Sequence, residues 1–157
     1  MKQQCEHVHL GSKLQIIKMT KVVFLSKEWI KKADSILKDI VGKNGEEGKR
    51  FSVSEALAES PTEISDENGF VYYHILIDGK SAQVNLGQYE SADVKIQASY
   101  ASALKSAYIF YTPELIKEYT ENPPKRDPDP YEKVEGDLAF SPSYITEFHN
   151  RMVAFTL

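Results

Sequence analysis

Phe70 to Leu86 reads Phe-Val-Tyr-Tyr-His-Ile-Leu-Ile-Asp-Gly-Lys-Ser-Ala-Gln-Val-Asn-Leu, two runs rich in β-branched and aromatic residues with Asp78 and Gly79 between them. An Asp-Gly pair in that setting predicts a two-residue hairpin turn, because a type I′ turn needs positive φ at both positions. With Asp78 and Gly79 as the turn, Ile77 faces Lys80, Ile75 faces Ala82, Tyr73 faces Val84 and Val71 faces Leu86. Side chains alternate across a strand, so Val71, Tyr73, Ile75 and Ile77 share one face with Ala82, Val84 and Leu86, and that face is core. The opposite face sets Phe70, Tyr72, His74 and Leu76 against Ser81, Gln83 and Asn85. It is half apolar and suits water, a helix or a ligand.

Upstream of the hairpin, Phe51 to Ser60 fits neither period cleanly and is assigned as a strand beside it, ending at Pro61. Further back, Ser26 reads as a helix N-cap ahead of Trp29, Ile30, Ala33, Ile36, Leu37, Ile40 and Val41 at helical spacing, with Gly42 as the stop. Val22 to Leu25 are too apolar to lie free and are expected to tuck against the sheet. Downstream, Ala92 to Ala98 alternates as a strand with Val94 and Ile96 inward. Ser99 caps a helix with Tyr100, Ala103, Leu104, Ala107, Tyr108 and Tyr111 on one stripe. Thr112-Pro113 starts another, whose buried side is expected to be Leu115, Ile116 and Tyr119. Asn122 to Tyr131 holds four prolines and is an extended loop, either a solvated rim or a lid. Val134 to Phe140 alternates as a last strand, and Ser141-Pro142 opens a C-terminal helix with Tyr144, Ile145, Phe148, Met152 and Phe155 on its apolar side.

The chain has 157 residues, which predicts one domain with a sizeable core. Residues 1–18 read as a flexible extension ahead of a single domain over 19–157. A net charge of −4 gives no footprint for nucleic acid, and no apolar run is long enough to span a bilayer. A single cysteine, Cys5, allows no internal disulfide and points to a reducing, cytoplasmic setting. Cys5, His7 and His9 alternate, yet zinc wants a fourth ligand and none lies close in sequence, so no metal and no cofactor is assigned.

No constellation for catalysis is present: no phosphate-cradling glycine loop opens a helix after a strand, and no Gly-x-Ser-x-Gly elbow occurs. His74 and His149 are the candidate bases. A histidine on a half-buried face is more often a packed, hydrogen-bonded residue, and Asp127 and Asp129 in a proline frame are more often rim charge than cation ligands. What stands out is apolar surplus. The helical stretches between Tyr100 and Tyr119 and the C-terminal helix carry more aromatic, alanine and methionine positions than one sheet face needs. Nine tyrosines, each an apolar ring with a polar tip, suit the mouth of a cavity for an amphipathic molecule.

The lead-in Phe24-Leu25-Ser26, then Glu28-Trp29 and an amphipathic helix, resembles the start of bacterial proteins of the sterol carrier protein (type two) superfamily. So do the strand Ala92 to Ile96 followed at once by the helix of Tyr100, Ala103 and Leu104, and the late Gly136-Asp137-Leu138 before a C-terminal helix. The resemblance covers roughly Val22 to Leu157. It implies an α+β fold, a five-stranded, mostly antiparallel sheet covered on one face by helices, with an apolar tunnel between the two layers. The implied ligand is a fatty acid, acyl-CoA or sterol-like molecule, and the protein is not an enzyme. Carried over by position, the ligand-binding wall is Val84, Val94, Ile96, Leu104, Tyr108, Leu115, Tyr144, Phe148 and Met152. The proline-rich loop before the last strand is longer than the family's. The competing reading is a protein-interaction module, a homodimer or a subunit of a larger complex; a third is a small enzyme using His74 or His149 with a tyrosine.

Overall fold

A computed structural model describes residues 20–157. The expectations for residues 1–18, and for Cys5, His7 and His9, lie outside the described residues. Five strands form one mixed, mostly antiparallel sheet: β1 (Arg50–Ala58), β2 (Val71–Asp78), β3 (Ser81–Leu86), β4 (Val94–Ser99) and β5 (Lys133–Glu135). Their order across the sheet is β3-β2-β1-β4-β5, with β1 and β4 parallel and every other pair antiparallel. Among the described residues four helices, α1 (Lys27–Asn44), α2 (Tyr100–Ala107), α3 (Pro113–Glu121) and α4 (Ile145–Val153), complete the α+β fold.

The central hairpin forms one residue later than Asp78-Gly79 predicts. Asp78 pairs with Ser81, so Gly79 and Lys80 make the turn, and Tyr73 faces Leu86 instead of Val84. Only Gly79 takes positive φ, at 60°, which is the requirement of a type II′ turn with glycine first. The Gly79 amide also donates to the Lys49 carbonyl at 2.9 Å, which fixes the turn against the chain leaving α1. The pairing slips by two positions, an even step, so every side chain stays on its expected face.

Ser26 caps α1 by accepting from the Trp29 amide, and all seven predicted inward residues are buried. The helix runs past Gly42 to Asn44. Phe24 and Leu25 are buried ahead of it, Tyr100 donates its hydroxyl to the Phe24 carbonyl, and Val22 bridges to Thr156. Trp29 closes this end of the core. Its Nε1 donates to Thr156 Oγ1 at 3.0 Å, and its ring meets Phe24 and Tyr73 edge-on.

Three further expectations need correction. The last strand stops at Glu135, since Gly136 takes φ 93° where the chain turns away against the Asp93 carbonyl, and Leu138–Phe140 is a short 3-10 turn. The C-terminal helix begins at Ile145, three residues beyond Pro142. Helix α3 is capped by Thr112 as expected but buries no residue, and Ile116 is exposed.

Candidate functional site

The register places five side chains in one row across the helix-covered face: Leu86, Tyr73, Glu55, Ile96 and Val134. Both ends of the row are open, with Leu86 40% and Val134 49% exposed, while Tyr73 is buried. At its centre stands a carboxylic acid. Glu55 shares its face with Phe51, Val53 and Leu57 of the central strand, which are buried, and it lies directly opposite Tyr73. It is half-buried on that face. Desolvation pushes its carboxyl from 4.5 to about 7, against the opposing pull of the Tyr73 hydroxyl. Burial and the neighbouring Glu55 push the Tyr73 hydroxyl well above its ordinary value.

Seven of the nine residues of the predicted wall gather around this layer. Val84, Val94, Phe148 and Met152 are buried in the core, and Ile96, Leu104 and Tyr144 are half-buried against it. Leu115 on α3 is half-buried apart from that core, and Tyr108, just after α2, is 48% exposed. At the end of the layer where β1 begins, the inward residues Phe51 and Ile77 meet Arg50, Phe140, Pro142 and Tyr144 around a cleft of about 390 Å³. Burial raises the Tyr144 hydroxyl's pKa, and the Glu46 carboxylate adds to it. Phe140 stands 79% exposed among the lining residues.

Both candidate bases serve as braces. A carbonyl oxygen only accepts, so His149 Nε2 carries the proton it donates to the Ile109 carbonyl at 2.7 Å. Beside it, Asn150 accepts from the Tyr111 amide and donates to the Tyr111 carbonyl, both at 2.8 Å. Together they clamp the link between α2 and α3 onto α4, and the Tyr111 ring meets both Tyr119 and His149. His74 likewise donates from Nδ1 to the Gly87 carbonyl at 2.8 Å.

That second bond belongs to the opposite face of the sheet, where residues 87–93 fold across the strands. Tyr89 donates its amide to Ser54 Oγ, and Asp93 accepts from both the amide and the hydroxyl of Ser52. A polar cleft of about 280 Å³ remains there, lined by Ser54, Tyr72, Tyr89, Lys95 and Gln97 among others. Asp129 is not free rim charge. It accepts from the Ser99 and Tyr131 amides, and those donors hold its carboxyl below the ordinary value. The proline-rich loop is thereby pinned beside the start of α2. Among the described residues no group of three or more His, Cys, Asp or Glu could hold a metal ion, and no helix is long and apolar enough to cross a membrane.

Sequence reasoning passed over Glu55 because Phe51 to Ser60 showed no clean period. The signal was there in phase: once Phe51, Val53 and Leu57 set the inward face, Glu55 falls on it.

No family model matches the chain, and no curated protein matches it. Among solved structures, the conserved hypothetical protein TT1886 of Thermus thermophilus is similar at a TM-score of 0.47 and 12% identity, over 86% of this chain and 92% of that one. The sterol carrier protein domain 2 of Helicoverpa armigera is similar at a TM-score of 0.43 and 13% identity, over 80% of this chain and 86% of that one.

Proposed function

We propose that the protein binds a small apolar or amphipathic ligand, without chemistry, in the layer between its sheet and helices α2 and α4. The observation that supports this is the unequal sealing of the two halves of that layer. Over β2 and β3, beside α1, the inward residues are buried except Leu86 at the open edge. Over β4, α2 buries only Tyr100 of its own residues, leaving Ala103, Leu104, Ala107 and Ile96 half-buried against the core, as are Tyr144 and Ile145 at the start of α4. Apolar side chains held half-open along one seam are what a guest chain completes. A ligand burying ~300 Å² of apolar surface gains about 7 kcal/mol before ordering costs, which sets micromolar binding as the ceiling. His74 and His149 are each spent on a backbone carbonyl, which favours a carrier over an acid–base catalyst. The single cysteine keeps a reducing, cytoplasmic setting as the working assignment.

Displacement of a neutral fluorescent lipid probe tests the reading, with fatty acids, acyl-CoA, sterols, long-chain alcohols and long-chain amines as competitors. Saturable binding at one equivalent is expected for at least one class. Absence of saturable binding by all of them refutes it. A second reading, self-association, is favoured by one feature: Val134, Leu138 and Phe140 expose a run of apolar side chains on one segment. Sedimentation over a concentration series decides it, since an invariant monomer rules it out.

A further inference from the structure

A glutamate on the inward face of a central strand breaks the pattern of its own strand, where Phe51, Val53 and Leu57 are buried apolar residues. Stability alone would favour leucine or valine here, because a desolvated carboxylate is costly unless a cation meets it. Such local violations in an otherwise consistent sequence concentrate at functional positions.

Among the described residues, no Lys, Arg or His forms an ion pair with Glu55. The elements around it explain why. From β2 it meets the Tyr73 hydroxyl, and from β4 the apolar Ile96. On α2 the cation is Lys105, which is exposed. On α4, His149 is bonded to the Ile109 carbonyl and Arg151 to Asp39. On α1, Lys32 lies over the Phe155 ring, Lys38 pairs with Asp34, Lys43 with Asp39, and Asp34 also accepts from the Val84 amide. The carboxyl therefore stands in the row between the Tyr73 hydroxyl and the apolar Ile96, with no ion-pair partner among the described residues.

We infer that the ligand of this layer is a long-chain amine, whose ammonium head meets the Glu55 carboxylate beside Tyr73 while its chain lies along Ile96, Leu104 and Phe148. The inference rests on the ligand-binding reading above and narrows it to one head group. A cation on the ligand supplies the partner that the described residues do not. A fatty carboxylate would bring a second acid to the same spot, where two carboxyls in contact cannot both ionise. A long-chain alcohol can hydrogen-bond Glu55 but cannot neutralise it.

The test compares dodecylamine, dodecanol and dodecanoate, each below its micellar concentration, by displacement of a neutral probe from wild type, Glu55→Gln and Tyr73→Phe. With the Glu55 carboxyl titrating at about 7, its ionised fraction rises from about one-tenth at pH 6 to about nine-tenths at pH 8, while the amine stays protonated. Dodecylamine affinity should therefore rise about tenfold over that interval in wild type, and the rise should vanish in Glu55→Gln. At pH 8 the same variant should bind dodecylamine at least about tenfold more weakly, a loss well beyond any for dodecanol, which brings no charge to the site. Tyr73→Phe should keep the pH-dependent rise. Side-chain carboxyl NMR on wild type gives an independent readout, in which dodecylamine lowers the Glu55 titration point. Dodecanoate binding as tightly as dodecylamine at pH 8, or amine affinity indifferent to both pH and Glu55, overturns the inference and leaves the ligand-binding reading standing. Failure of all three to bind overturns the inference, and the ligand-binding reading is then decided by the remaining competitors, acyl-CoA and sterols. Should Glu55→Gln fail to fold, the wild-type pH profile and the carboxyl titration decide alone.

Discussion

Replacing Glu55 by glutamine should stabilise the ligand-free protein at alkaline pH and do little at acid pH. In the fold the carboxyl titrates at about 7, against 4.5 ordinarily. Below about pH 4.5 it is protonated in both folded and unfolded chains and costs the fold nothing. Above about pH 7 it is ionised in both, and the fold bears the whole cost of an ionised carboxylate among apolar side chains. Between those limits the folded chain holds a proton that the unfolded chain has released, so stability falls as pH rises. At about 1.4 kcal/mol for each tenfold change in proton affinity, the full cost is about 3 kcal/mol. For a domain of this size that is roughly 10 °C in Tm. Glutamine keeps the shape and the hydrogen-bonding capacity beside Tyr73 and never ionises. Thermal melts of both proteins at pH 5 and pH 8, followed by circular dichroism, measure the gap between them. The gap should be several-fold larger at pH 8. A gap that does not change with pH refutes the argument that Glu55 is desolvated in this layer.

Three substitutions test the frame that holds the layer, and a fourth tests a helix stop. Trp29→Phe removes the bond to Thr156 and part of a ring packed against Phe24 and Tyr73; a loss of about 2–3 kcal/mol is expected in urea unfolding, and a loss below about 0.5 kcal/mol contradicts the role given to Trp29. Gly42→Ala should stabilise by about 0.5–1 kcal/mol, since the position is helical and a Cβ meets nothing. Gly136→Ala should do the opposite, because φ is 93° there and the Cβ overlaps the Asp93 carbonyl; hydrogen exchange should quicken at Lys133 to Glu135, and unchanged protection would sink the argument. Asn150→Ala removes both bonds to the Tyr111 backbone and should loosen α3, seen as faster amide exchange over Pro113–Glu121 with the sheet unaffected.

Much of the sheet could be read because alternation fixes faces even when register is wrong. Val71, Tyr73, Ile75 and Ile77 with Ala82 and Val84 are buried as expected, although the turn begins at Gly79 and not at Asp78. A slip of two residues is invisible to a period of two. The caps at Ser26, Ser99 and Thr112 were equally legible, since each is a local hydroxyl-to-amide bond between residues three apart. What the sequence could not show is which apolar stripes find a partner. Leu115, Ile116 and Tyr119 are spaced like a buried face, yet α3 is tied to the domain through Asn150 and His149 and stays largely open. The parallel pairing of β1 with β4 was hidden for the same reason: it is held by a long-range clamp between Ser52 and Asp93 that no local pattern announces. Of the candidate site, the apolar surplus on the helices was visible in composition. Its one acid was not, because its meaning depends on a strand phase that neighbouring strands set.

The most direct measurement is a methyl NMR titration of the labelled protein with dodecanol, a ligand whose neutral head does not depend on the charge of Glu55. The account predicts saturable shifts at Ile96, Leu104, Ile145 and Met152, on β4, α2 and α4, with Leu76 on the opposite face and Ile116 on α3 unmoved. Shifts confined to Leu138 and Val134 on the exposed segment, or to Leu76, would contradict the claim that the guest lies between sheet and helices.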